Sequence, residues 1–269
     1  MHVWRQALGR VPFVAGMGIL VSACWYYQLI PLALILATLG VLILLFNEFD
    51  LSGRSLCFAG LASVTGSMLF LLGAVRILTK RMDTTWQQML KGPIETFVAQ
   101  VQSMNSSIQI SHEDILAQVP SGIVILLFVS LSLALLFEGR LQSIAKILPK
   151  QRGTAFLNFK LPDALVWLTI LALLLAFLKT EIVEAQQVGT NMLNVIIFLY
   201  FLQGMAIVTL FFNHYKLSPV LRTLAYIFIF LQLFVFVSGL GLVDYWVDFR
   251  ARMLKSIDDK KINGKGGIS

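Results

Sequence analysis

The sequence predicts an all-α polytopic transmembrane helix bundle of about seven crossings, with amphipathic helices on its surface. Three observations carry this. Hydrophobic residues make up 58% of the 269 and charged residues only 13%, against about 25% charged in an average soluble domain. Mean hydropathy is +0.82. The apolar residues come in long blocks rather than short periodic stripes, the pattern of helices that face lipid.

The net charge of +7 comes from 21 Lys and Arg against 14 Asp and Glu. These cations fall between apolar runs and in the tail, where they anchor beside anionic lipid. No compact basic domain remains for nucleic acid, so the bilayer is the expected partner.

The first apolar block is Val11–Phe46, about 54 Å as one helix and too long for a bilayer core of about 30 Å. Trp25-Tyr26-Tyr27-Gln28, followed by Pro31, forms an interfacial turn of belt aromatics and a helix-starting proline. The block therefore splits into helices of about 11–28 and 30–46, with a single tilted helix as the alternative. Arg5 and Arg10 ahead of Val11–Cys24 have the form of a secretory signal. The bulky Trp25-Tyr26-Tyr27 stands where a small-residue cleavage site is needed, so the segment reads as a retained helix.

Asn47–Arg54 is expected to be a polar loop, and Ser55–Val75 the third crossing. Within it Ala59-x-x-x-Ser63 and Ala62-x-x-x-Gly66 put small side chains one turn apart, which lets helix backbones approach in lipid. Cys24 and Cys57 fall toward opposite ends of the hairpin between them, so no disulfide is expected.

The longest non-spanning stretch is about 79–120. Ile94, Phe97, Val98, Val101 and Met104 form one apolar face there. Trp86, Met89 and Leu90 form a smaller one before Gly92-Pro93 interrupts, and Ser111-His-Glu-Asp114 has the form of a cap opening another short helix. These helices are expected on the membrane surface. Ser121–Phe137 is the fourth crossing. Residues 139–160 read as a basic interfacial helix and loop, and Pro162–Leu178 as the fifth crossing. Asn191–Phe212 and Val220–Val243 are the last two, and 251–269 is a basic tail expected to be disordered. Residues 1–250 thus form a single membrane domain. Six crossings is the alternative, and the Lys and Arg distribution does not fix the orientation.

The chain has no Cys-x-x-Cys, no His-Glu-x-x-His, no phosphate-cradling glycine loop and no nucleophile elbow. No enzyme activity, cofactor or metal is expected. No carboxylate is read inside a crossing, which argues against a proton relay. What remains is amide and hydroxyl chemistry. Asn191 and Asn194 are three apart, as are Tyr200 and Gln203. A buried amide in lipid needs a partner, either another helix or a bound solute, so these four are the candidate ligand-binding residues. A water-accessible cavity lined by Gln203 and Asn194 would favour a solute; amides paired between helices would favour a structural role. Asp244, Asp248 and Arg252 descend one helix face in steps of four, and the like-charged Asp244–Asp248 pair needs a cation nearby. Trp246 and Arg250 have the same spacing. Asp244, Trp246, Asp248 and Arg250 are candidates for contact with a partner or with the 139–160 segment, or mark an ordinary membrane exit.

Several of these residues recur in a wider pattern. It comprises Phe156, Leu161-Pro162, Val166-Trp167, Asn191-Met-Leu-Asn194, Leu199-Tyr200-Phe-Leu-Gln203-Gly204-Met-Ala206, Gly239-Leu-Gly241-Leu-Val-Asp244 and Asp248-Phe-Arg250. In them the chain resembles the YybS-like family of multi-spanning bacterial membrane proteins, over about residues 155–250. That family is similar at a distance to the substrate-binding subunits of energy-coupling-factor vitamin transporters. The resemblance implies a helical bundle in the bacterial inner membrane that binds a solute and docks on a partner through small residues of an early helix. Ala33-x-x-x-Ala37 has that form, although it falls in the second helix and seven crossings exceed the six usual for such subunits. The first functional expectation is a solute-binding or transport component. The alternative is a structural or regulatory membrane protein acting through partner contacts.

Overall fold

The computed structural model describes residues 9–104, 111–144, 159–177, 183–215, 217–249 and 252. The described residues are helical apart from short turns and caps, with no strand. They belong to two compact units, Met1–Gln151 and Arg152–Ser269.

The first unit contains α1 (Arg10–Tyr26), α2 (Ile30–Leu51), α3 (Leu56–Met82), α4 (Trp86–Met104) and α5 (His112–Ile144). The turn between α1 and α2 falls where the aromatic belt predicts it. Gln28 takes a left-handed φ of 58°, Pro31 lies in the first turn of α2, and Tyr26 and Tyr27 stand exposed with their rings edge to face. Phe13 and Met17 of α1 pack on Ile43 of α2. The small-residue column of α3 is buried: Ala59, Gly60, Ser63 and Ser67 all lie inside. The Ser63 and Ser67 hydroxyls donate to the carbonyls of Ala59 and Ser63, so neither polar group is left open in the apolar contact. Cys24 and Cys57 are both free thiols.

Three boundaries differ from the sequence reading. Residues 47–51 continue α2 instead of opening a loop, because Asn47 is buried and its amide donates to the Ile43 carbonyl (2.8 Å). Gly92-Pro93 does not interrupt α4; Thr96 Oγ1 donates to the Gly92 carbonyl (3.0 Å) in the turn that holds the proline. Ser111 does cap a helix, accepting from the Glu113 N–H. That helix is the long α5, which runs through Pro120 into the apolar stretch. Freed backbone groups near a proline are commonly re-satisfied in membrane helices.

The second unit contains α6 (Ala164–Phe177), α7 (Val183–His214), α8 (Pro219–Gln232) and α9 (Phe234–Val247). Helix α7 is central, with α6 and α9 packed along it. Ser218 caps α8 by accepting from the Leu221 N–H, and Pro219 opens it. The run Val220–Val243 reads as one crossing; here it is two helices bent by 96° at Leu233. Phe201 of α7 occupies the elbow, stacked on Phe234 (centroids 4.5 Å apart) and edge-on to Phe230 (6.0 Å).

Helical elements stand at all seven places where crossings are expected. Among the described residues four helices are long and apolar enough to span a membrane, α2, α3, α5 and α7, or five if the bent pair α8–α9 is one span. With 17 and 14 residues, α1 and α6 extend about 26 and 21 Å, short of a bilayer core of about 30 Å. Most of the 139–160 segment and of the 251–269 tail lies outside the described residues.

Candidate functional site

The polar residues of the second unit converge on one stripe of α7. Tyr200, Gln203 and Gly204 follow helical spacing on the face that meets α6 and α9, and all three are buried. Two glycines set the distance between α7 and α9. A Cβ at Gly204 would collide with the backbone carbonyl of Val237, and one at Gly241 with that of Tyr200. The helices therefore touch backbone to backbone, the close approach that gains packing energy in lipid.

That approach brings Gln203 within reach of three partners. Its Oε1 accepts from the Leu161 N–H (2.9 Å), just ahead of α6. Its Nε2 donates to the Gly241 carbonyl (2.9 Å) and, at longer range, to Asp244 Oδ2 (3.4 Å). The amide has one acceptor oxygen and two N–H donors, and each is engaged. One side chain thus ties α7 to both neighbours. Asp244 reads from the sequence as a charged membrane exit, and no carboxylate is read inside a crossing. The structure places it 0% exposed, facing Gln203. The α8–α9 bend and the glycine contact turn its helix face inward.

Tyr200 makes a second tie. Its hydroxyl lies 3.2 Å from Thr169 Oγ1 of α6. The single proton of Thr169 is already donated to the Leu165 carbonyl (2.7 Å), so Tyr200 is the donor. A third repeats the pattern between α7 and α8: Thr209 donates to the Met205 carbonyl and receives the Tyr226 hydroxyl (3.1 Å).

The other two amides lie elsewhere. Asn191 is half-buried, and its Nδ2 donates to the Gln187 carbonyl of its own helix (2.9 Å). Asn194 is also half-buried. At about 100° per residue the nine positions from Asn194 to Gln203 place them on opposite sides of α7. The four candidate ligand residues are therefore not gathered around one cavity.

At the end of α9, Trp246 is 62% exposed with its ring perpendicular to that of Tyr245. Asp248 closes the helix with a left-handed φ of 48°, its N–H donating to the Asp244 carbonyl. Its exposed carboxylate meets Lys160 Nζ at 3.3 Å. The cation sought for the Asp244–Asp248 pair thus comes from the last residue of the 139–160 segment. Arg250 lies outside the described residues.

Sequence reasoning did not assign Leu161 or Thr169 to these contacts. The first contributes only a backbone N–H, which no residue type signals. Among the described residues no group of three or more His, Cys, Asp or Glu could hold a metal ion.

A family profile described as "Predicted membrane protein (DUF2232)" matches residues 11–245. No curated protein and no solved structure matches the chain.

Proposed function

Since this chain belongs to the DUF2232 family of predicted membrane proteins, we propose that it acts in a bacterial inner membrane through contacts with a protein partner. Its second unit serves as a locked helical element and not as a solute pocket. The role is structural or regulatory and non-enzymatic. In this reading all seven apolar elements cross, with α1 and α6 completing their spans through flanking residues or local thinning of the bilayer.

The observation that carries the proposal is the engagement of Gln203. Its oxygen and both its N–H groups end on Leu161, Gly241 and Asp244. A solute competing for them would have to break interhelix bonds in a region where backbones are in contact. The partner surface fits the exposed end of α9, where Trp246 is exposed two residues before the Asp248 that pairs with Lys160. Tryptophans commonly anchor protein partners.

A second reading is a small-solute-binding or transport component. The 96° break at Leu233 favours it, because interrupted helices line the substrate sites of many transporters. A carboxylate buried within apolar helices is also a functional signal by default. The resemblance of residues 155–250 to YybS-like proteins, and through them to energy-coupling-factor subunits, points the same way.

Thermal unfolding of the detergent-purified protein against a library of vitamin-sized metabolites separates the two. The structural reading expects no solute to raise the unfolding temperature and Gln203→Leu to lower it with or without solute. A solute that stabilises wild type but not Gln203→Leu would establish the transport reading instead, because a ligand that binds only the folded state stabilises it.

A further inference from the structure

The first unit contains an open cavity of about 340 Å³ between the first half of α4 and the first turns of α5. Its lining combines opposite charges with apolar side chains. Lys91 and Glu95 come from α4 with Gln87 and Gln88, His112 comes from α5, and Ile94 and Leu116 complete the lining. We propose that this cavity binds the headgroup of a zwitterionic aminophospholipid, the phosphate on Lys91 and His112 and the ammonium on Glu95.

The depth of the cavity follows from the topology. Helices α3 and α5 both pass as membrane spans, and a chain that leaves in α3 and returns in α5 keeps α4 on one face of the bilayer. The last turn of α3 carries Lys80 and Arg81. The first turn of α5 carries Glu113 and Asp114 before the apolar stretch begins. Lys and Arg at the end of a span mark the headgroup layer, and the acidic turn shows that the start of α5 lies outside the apolar core. Between them α4 buries Ile94 and Val98 and leaves its charged side outward, as an interfacial helix does. The cavity therefore opens where lipid headgroups reside.

The charges favour a zwitterion over an anion. Lys91 and Glu95 are one turn apart and only loosely paired, at 3.9 Å and with side chains 73% and 51% exposed. Such an exposed pair contributes little by itself, so each partner is free to turn to a complementary group. A purely anionic headgroup would satisfy Lys91 but face Glu95. An ammonium-phosphate headgroup satisfies both, with Ile94 and Leu116 against its glycerol carbons.

The test is native mass spectrometry of the full chain, released from nanodiscs containing equal parts phosphatidylethanolamine, phosphatidylcholine and phosphatidylglycerol. Wild type is expected to retain one phosphatidylethanolamine about tenfold over the other two, the weight of one charge-assisted contact. Lys91→Ala and Glu95→Ala should each abolish that preference. Both side chains are exposed, so both variants should keep the wild-type unfolding temperature. The reversed pair K91E/E95K should restore the preference in part. Equal retention of all three lipids, unchanged by either substitution, would reduce the lipid to the ordinary annulus and overturn the proposal. So would displacement of the lipid by inorganic phosphate alone, which would make the cavity a site for a soluble anion.

Discussion

Gly241 of α9 rests on the backbone of Tyr200 in α7, leaving no room for a Cβ between them, and one turn away Gly204 rests on Val237. These contacts set the spacing within which Gln203 reaches Gly241 and Asp244. The glycines and the glutamine form a single arrangement: without the close approach the amide loses two partners. Gly204→Ala and Gly241→Ala should each force the helices apart and cost about 2–4 kcal/mol, read as a lower unfolding temperature in detergent. Gly239 has nothing within 4 Å. Gly239→Ala should be neutral or stabilise by up to about 1 kcal/mol, through helix propensity alone. Equal losses at all three positions would show that glycine flexibility, not close approach, is what α9 requires.

Replacing Gln203 by Leu leaves the Leu161 N–H and the Gly241 carbonyl without their amide and removes one contact of Asp244. The expected loss is about 2–4 kcal/mol, because stranded buried polar groups cost more than the bonds contributed. The double variant Gln203→Leu/Asp244→Leu should recover part of that loss, since removing both members of a buried polar pair is often tolerated. A double-mutant cycle with no coupling would mean that the 3.4 Å contact carries no energy.

The Lys160–Asp248 pair predicts much less. Both side chains are about half exposed, so Lys160→Ala should cost under about 1 kcal/mol, with the effect fading in salt. Asp248 has a second role through its left-handed backbone. Asp248→Gly should be close to neutral although it removes the charge, whereas Asp248→Val should cost about 1–3 kcal/mol by strain. Should Gly prove as damaging as Val, the carboxylate and not the backbone would be the important feature. Circular dichroism melts of the three variants decide this.

Residue pattern reveals much of this fold and only part of its centre. The turn at Gln28 is legible because Trp25-Tyr26-Tyr27 and Pro31 mark an interface. The buried Ala59–Ser63 pair is legible through its one-turn spacing, while Ser67 extends it unannounced and Ala62 and Gly66 are half-buried. Asn47 misleads because its polarity suggests a loop, while back-bonding to Ile43 lets it stay in the helix. Gly92-Pro93 misleads in a similar way, with Thr96 donating to the Gly92 carbonyl in the turn that holds the proline, and α5 runs through Pro120 because membrane helices tolerate prolines that would end soluble ones. The involvement of Gln203 in the site was visible from its type. Its partners were not, because one is a backbone N–H in a distant segment and another is Asp244, whose burial depends on the bend before it.

That bend at Leu233 has no glycine or proline to announce it, and Phe201 accounts for it. Its ring stacks on Phe234 beyond the break and meets Phe230 edge-on before it. Phe201 is buried, at 4% exposure, and a wedge in that position favours two arms over a straight helix that would leave the elbow empty. Phe201→Ala should cost about 3–5 kcal/mol and widen the angle between α8 and α9. Spin labels at Leu221 and Val243, both on exposed positions, would report that as a longer and broader distance distribution. Phe211→Ala serves as the control: Phe211 is 45% exposed and its ring contacts are with Phe212 and Tyr215, so the distribution should stay as in wild type. If Phe201→Ala lowers stability and leaves the distance unchanged, the bend is set by the α7–α9 backbone contacts at Gly204 and Gly241, and the aromatic ring only fills space.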